Sequence, residues 1–232
     1  MKLGYLWATA IFVTVGSAVT YATPLACTSG TLTSLISTNA SGGCEIADKI
    51  YSNFSYSPTG TDPTSDQINV GLDNNTLADQ TGLQFGTSGP VWTSSGFTVG
   101  YTVTVDPAQC VAIYGAGVTC SVMGAQLAFQ GSFANPSNTA GMNATFSGAT
   151  PSSLAVNDLA TGNNSNQVTF SPTWTTSDIV ITGTGNTGSF PIDGFSLDIY
   201  QQITPAPEPA TFSIMGAGLL SLGFLGRRLR KS

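Results

Sequence analysis

Histidine is absent from this 232-residue chain, and arginine occurs only as Arg227, Arg228 and Arg230. Charged residues make up 8% of the sequence. Between residues 23 and 206 Lys49 is the only cation, set against Glu45 and ten aspartates, so this stretch carries a net charge of −10. Each shortage excludes a class of function. Without an imidazole, neither a Ser-His-Asp nor a Cys-His arrangement can move its proton. Zinc loses its commonest nitrogen ligand, and no close Cys-x-x-Cys pair replaces it. A surface this anionic repels phosphate, so nucleic acid is excluded as a partner. Strong helix formers are also scarce, which argues against a parallel α/β sheet with a crossover helix after nearly every strand. No internal repeat of fixed period is present, which disfavours a solenoid or propeller.

What the chain does have is serine, threonine, asparagine and glycine, with short apolar alternations between them. A short helix is expected around 32–37, ended by Gly42-Gly43. Residues 48–56 alternate with the period of a half-buried strand, placing Ile50, Ser52, Phe54 and Tyr56 on one face and Tyr51, Asn53 and Ser55 on the other. The same period recurs at 67–72, 82–85 and 96–105, where Phe97, Val99, Tyr101, Val103 and Val105 share a face. Further strands are expected at 110–113, 125–133, 141–146, 167–170, 178–182 and 192–203, each bounded by Gly, Asn, Pro or Ser. The expectation is an all-β domain over 23–204, an antiparallel β-sandwich of jelly-roll or Ig-like type.

Four cysteines, Cys27, Cys44, Cys110 and Cys120, fall in this domain. An even number in an exported chain reads as disulfides, and of the three pairings the two local ones are favoured, Cys27–Cys44 and Cys110–Cys120. Each would close a short loop and contribute about 2–3 kcal/mol in the chain-entropy model.

With imidazole chemistry gone, one acid–base option remains, a carboxylate pair as in glycoside hydrolysis. Glu45 with Asp48 and Asp193 with Asp198 are the candidates, and solvated acids explain both equally well. Oxygen-rich loops at Asp62 and Asp66, at Asp73 to Asn75, and at Asp158 with Asn163 and Asn164 could hold calcium, as in a calcium-dependent adhesin. None matches a calcium-binding loop motif, so neither a metal nor any other cofactor is assigned. Threonine pairs such as Thr102 and Thr104 form no regular ladder of the kind that matches ice. Sequons begin at Asn39, Asn53, Asn74, Asn143 and Asn163, and chance accounts for most of them in so Asn/Ser/Thr-rich a chain.

The two ends differ from the middle. Residues 1–22 read as a signal peptide: one early lysine, an apolar stretch over about 6–15, and small residues before a cleavage point after Ala22, with Ala18 as an alternative. Pro24 stands where a lipobox needs an aliphatic residue, which argues against lipidation of Cys27. At the other end Pro205-Ala206-Pro207-Glu208-Pro209 precedes an apolar run over 210–225 and a basic cluster, Arg227, Arg228, Arg230 and Lys231. As a helix the run would be about 24 Å long, slightly short of a bilayer core of roughly 30 Å. The basic cluster would stay on the cytoplasmic side. A plain single-pass anchor, with its helix over 210–226, satisfies the hydropathy alone.

Pro207-Glu208-Pro209, the adjacent apolar run and the terminal arginine cluster together resemble the PEP-CTERM sorting signal of exported bacterial proteins, a tail also named for some ice-binding proteins. The resemblance implies that 205–232 is the sorting signal, in which a membrane-embedded exosortase reads Pro207, Glu208 and Pro209 and removes the tail, so that the mature protein lacks 212–232. It further implies a cell-surface or extracellular polysaccharide setting. Cys27, Gly30-Thr31-Leu32, Gly43-Cys44, Asp48-Lys49 and Ser52-Asn53-Phe54 are similar to the start of uncharacterised exported proteins with the same tail, which implies a shared domain and lends no activity. The combined expectation is an exported, non-enzymatic structural or binding protein. The alternatives are a carbohydrate-active enzyme built on two carboxylates, or the adhesin.

Overall fold

In a computed structural model of the chain, the described residues are 24–73, 80–89, 92, 96–130, 140–157, 165–185, 192, 194–205, 215 and 217. The expected signal peptide at 1–22 and nearly all of the expected membrane helix at 210–226 lie outside them. The described residues are predominantly β and form two sheets. The seven-stranded sheet runs β1 (Leu25–Ala26), β3 (Cys44–Ile46), β4 (Lys49–Ser57), β7 (Phe97–Val105), β12 (Thr176–Gly185), β9 (Ala140–Phe146) and β10 (Ser153–Asn157). The six-stranded sheet runs β11 (Ser165–Trp174), β8 (Val118–Gln130), β13 (Gly194–Pro205), β6 (Gln80–Thr87), β5 (Ile68–Asp73) and β2 (Gly30–Thr31). Pairing is antiparallel throughout, except that β1 lies parallel to β3. The sheets are accompanied by α1 (Leu32–Thr38) and α2 (Pro107–Tyr114).

One core lies between the sheets, and the alternation in β7 shows why. Phe97, Val99, Tyr101, Val103 and Val105 all point inward and are buried. Across from them β6 and β13 supply Leu83, Phe85, Phe195, Leu197 and Ile199. Phe85 and Phe195 stack with centroids 4.8 Å apart, and Trp92 lies 4.9 Å from Phe97 and 5.4 Å from Phe195. Each such side chain contributes about 1.5–3 kcal/mol by leaving water. The two local disulfides, Cys27–Cys44 and Cys110–Cys120, are formed. The first ties the start of the domain to β3, and the second ties α2 to β8.

Two expectations are corrected. Residues 110–113 are not a strand but the middle of α2. Asp106 caps that helix, its carboxylate accepting from the backbone N–H of Ala108 and Gln109, while Pro107 occupies the first turn, where it gives up no helical hydrogen bond. In β4 the phase read from 48–56 is wrong before Asn53. Lys49 and Tyr51 are the buried residues there, and Phe54 is the buried one after it. The cause is a β-bulge between Ser52 and Ser55, where Asn53 takes a positive φ of 55° and swaps which face the next residues present. Asn39 secures the bend through its side-chain amide, which donates to the Phe54 carbonyl and accepts from the Phe54 N–H, both at 2.8 Å.

Candidate functional site

The outer face of the six-stranded sheet gathers a row of polar side chains. Register places Gln167, Gln126, Asp198, Gly82 and Asp73 in one row across β11, β8, β13, β6 and β5. One step along the strands, Tyr200 sits between Gly124 and Gln80. Period-2 alternation puts all of these on the side opposite Leu83, Leu197 and Leu127. The Tyr200 hydroxyl donates to Gln126 Oε1 at 2.6 Å, so the ring is held over the face rather than free to swing.

Gly82 is the structural key to this row. A Cβ there would collide with the Asp198 carboxylate and the Leu197 carbonyl, so the absence of a side chain gives Asp198 its room. Asp198 is 6% exposed, and its Oδ1 accepts no hydrogen bond. Burial pushes its carboxyl up from 3.8 to about 6, and the facing Asp73 carboxylate adds to the rise, while Gln80 opposes it. Asp73 and Asp198 lie within hydrogen-bonding reach of each other across the glycine. The arrangement sets amides, one phenol hydroxyl, the Asp73 carboxylate and an aromatic ring on one face, with the buried Asp198 among them.

The other expected carboxylate pair is built differently. Asp48 is fully buried and its Oδ1 accepts from Lys49 Nζ at 2.7 Å. Lys49, also fully buried, donates to Gln201 Oε1 across the gap between the sheets. Glu45 is held above the usual carboxylate range by burial, then by the neighbouring Asp106 and Asp48 charges. Asp48 also approaches the sulfurs of Cys110 and Cys120, but both are in the disulfide and cannot serve as thiolate ligands. A mainly apolar cavity of about 310 Å³ lies beside that disulfide, lined by Val105, Pro107, Val111 and Val118 together with Thr119, Thr175 and Thr176.

Other expected site residues scatter. Asp193, Asn74, Asn75, Asp158, Asn163 and Asn164 lie outside the described residues. Asp62 folds back on its own turn, accepting from the Thr59 N–H at 3.1 Å and the Thr59 hydroxyl at 3.2 Å. Pro207, Glu208, Pro209, Arg227, Arg228, Arg230 and Lys231 also fall outside, but the point from which they depart is fixed. β13 carries the chain to Pro205, paired there with Val118. Among the described residues, no helix is long and apolar enough to cross a membrane. Residue reading missed Gln126, Tyr200 and Gln201. The alternation of 192–203 could have signalled Tyr200, by pointing it with Asp198 to the face opposite Leu197, and that of 125–133 could have signalled Gln126, but Gln201 follows a register shift that no alternation announces.

The whole is an all-β domain with a sorting-type tail leaving its last strand. Residues 205–231 match the PEP-CTERM protein-sorting motif, so this chain carries that motif and is marked for export and for surface or membrane association. No curated protein matches the chain. Two solved structures overlap it. TmCBM61 in complex with β-1,4-galactotriose does so at TM-score 0.30 and 9% identity, over 66% of this chain and 89% of that one. The enzymatically active domain of bacteriophage CBA120 tailspike protein 4 does so at TM-score 0.28 and 18% identity, over 66% of this chain and 20% of that one. Likeness at that level carries no inference about function.

Proposed function

We propose that this is an exported, non-enzymatic protein of the cell surface or extracellular matrix, delivered by exosortase processing of its tail. Its β-sandwich, of jelly-roll or Ig-like type, engages extracellular polysaccharide through the outer face of the six-stranded sheet. The observation that carries the reading is the polar row centred on Asp198 and Gln126, beside the anchored Tyr200 ring. Side-chain amides and carboxylates can pair with adjacent sugar hydroxyls while an aromatic ring covers the apolar face of a pyranose. A domain with one buried lysine repels polyanions, so the fitting ligand is a neutral polysaccharide.

The hydrolase alternative finds less support. Glycosidase carboxyls stand about 5–10 Å apart, with a sugar or water between them, whereas Asp73 and Asp198 are close enough to hydrogen bond. The test is a panel of neutral and acidic polysaccharides, scored for retention and for reducing-end release. The proposal expects retention on a neutral polymer without release, lost by about tenfold or more in Tyr200→Ala, since stacking and one hydrogen bond together are worth more than 1.4 kcal/mol. Release of reducing ends that Asp198→Asn abolishes would establish the enzyme instead.

A further inference from the structure

Lys49 is the one cation of the exported domain, and the fold spends it in the core rather than on the surface. Its Nζ touches two groups from different places. Asp48 Oδ1 comes from the preceding residue, at 2.7 Å, and the side-chain carbonyl of Gln201 comes from β13 in the opposite sheet. All three side chains are buried, at 0%, 0% and 4% exposure. Two polar atoms of this trio have no partner: Asp48 Oδ2 and Gln201 Nε2. A buried amide nitrogen without an acceptor is costly, and buried polar groups are nearly always paired. The ion pair accounts for Lys49 and for half of Asp48, but it leaves both orphans unexplained.

We propose that Lys49 and Gln201 are joined by an intramolecular isopeptide bond, with Asp48 as the proton-transfer group. Asp48 Oδ1 takes a proton from the lysine ammonium and leaves a neutral amine. Nζ attacks Gln201 Cδ, and the Nζ–Cδ bond forms as the Cδ–Nε2 bond breaks. Asp48 passes protons from Nζ to Nε2, which departs as ammonia. One amide replaces another, and nothing is oxidised or reduced. The leaving nitrogen is the one that nothing in the fold holds. Asp48 Oδ2 supplies the second carboxylate oxygen for the relay. Holding amine and amide together in a dry site supplies effective concentrations of about 10⁵–10⁸ M, which free lysine and glutamine never reach. The bond would tie β4 to β13 just before the strand ends at Pro205, where the tail leaves. A pull on the tail would then be shared by both sheets.

The chain makes the test simple, because Lys49 is the only lysine or arginine between Lys2 and Arg227. Trypsin cuts after lysine only when the ε-amine is free. The full chain, denatured and reduced, is expected to resist cleavage after Lys49 and to weigh about 17 Da less than its sequence, the mass of ammonia. Fragment spectra should join the peptides containing Lys49 and Gln201. Gln201→Ala and Asp48→Asn should each restore the cut and the mass. A clean cut after Lys49 in the wild-type chain, with unshifted mass, overturns the proposal whether or not either variant folds. A loss of about 18 Da would place the bond on a carboxyl and overturn the assignment to Gln201. A cross-link that persists in Asp48→Asn would overturn the role given to Asp48.

Discussion

Asp198 shows how one missing side chain sets the chemistry of another. Gly82 leaves a notch, Asp198 fills it, and the Asp73 carboxylate faces it across the sheet. A carboxyl raised from 3.8 to about 6 binds its proton more tightly folded than unfolded. Its stabilising contribution is therefore fully present below pH 3.8 and is lost as pH rises through about 6. Asp198→Asn, which mimics the neutral acid, should melt at a higher temperature than wild type near pH 8, with the gain shrinking toward zero near pH 4. Thermal melts at both pH values check this. A variant less stable than wild type at the higher pH would show that the carboxylate is satisfied there. The sequence named Asp198 as a candidate acid but paired it with Asp193, a near neighbour in the chain. Its facing acid in the sheet is Asp73, which only the strand order reveals.

At the scale of elements, strands were legible wherever one face is apolar and the other polar. β7 is the clearest case, since five inward residues alternate without interruption. β10 was missed because its alternation is short, with Leu154 and Val156 as the buried residues among serine and alanine. The error at α2 has a plain cause. A short apolar run of four residues does not declare its period, whereas Asp106-Pro107, a few residues upstream, is a helix start written in two residues. Asp106 accepts from two backbone N–H groups at the start of α2, and α2 carries Cys110 of the second disulfide. Asp106→Ala should therefore cost about 1 kcal/mol, seen as a lower denaturant midpoint with an unchanged slope. A loss well above that would mean that Asp106 matters more through its contact with Glu45 than through the cap. The β4 bulge was invisible because an Asn in a strand pattern reads as an ordinary outward residue. Only the positive φ at Asn53 reverses the phase.

For the molecule as a whole, the two ends announced an export route and a sorting signal, and composition with strand period announced a β domain. Both follow from local features: charge balance, period and a contiguous motif. The polar row on the six-stranded sheet and the buried Lys49–Gln201 contact were not legible, because each joins residues far apart in the chain, from β5 to β13 or from β4 to β13. The central claim, that the tail is a signal read by an enzyme, is tested most directly by the C-terminus of the surface protein. In a host carrying the sorting enzyme, mass spectrometry of the mature wild-type protein should find that residues 212–232 are gone. Glu208→Ala should keep them and leave the protein in the membrane, because the substitution removes the carboxylate without touching the apolar run or the arginine cluster that set insertion. A full-length C-terminus on the wild-type surface protein, unchanged in Glu208→Ala, would contradict the account and make the tail a single-pass anchor.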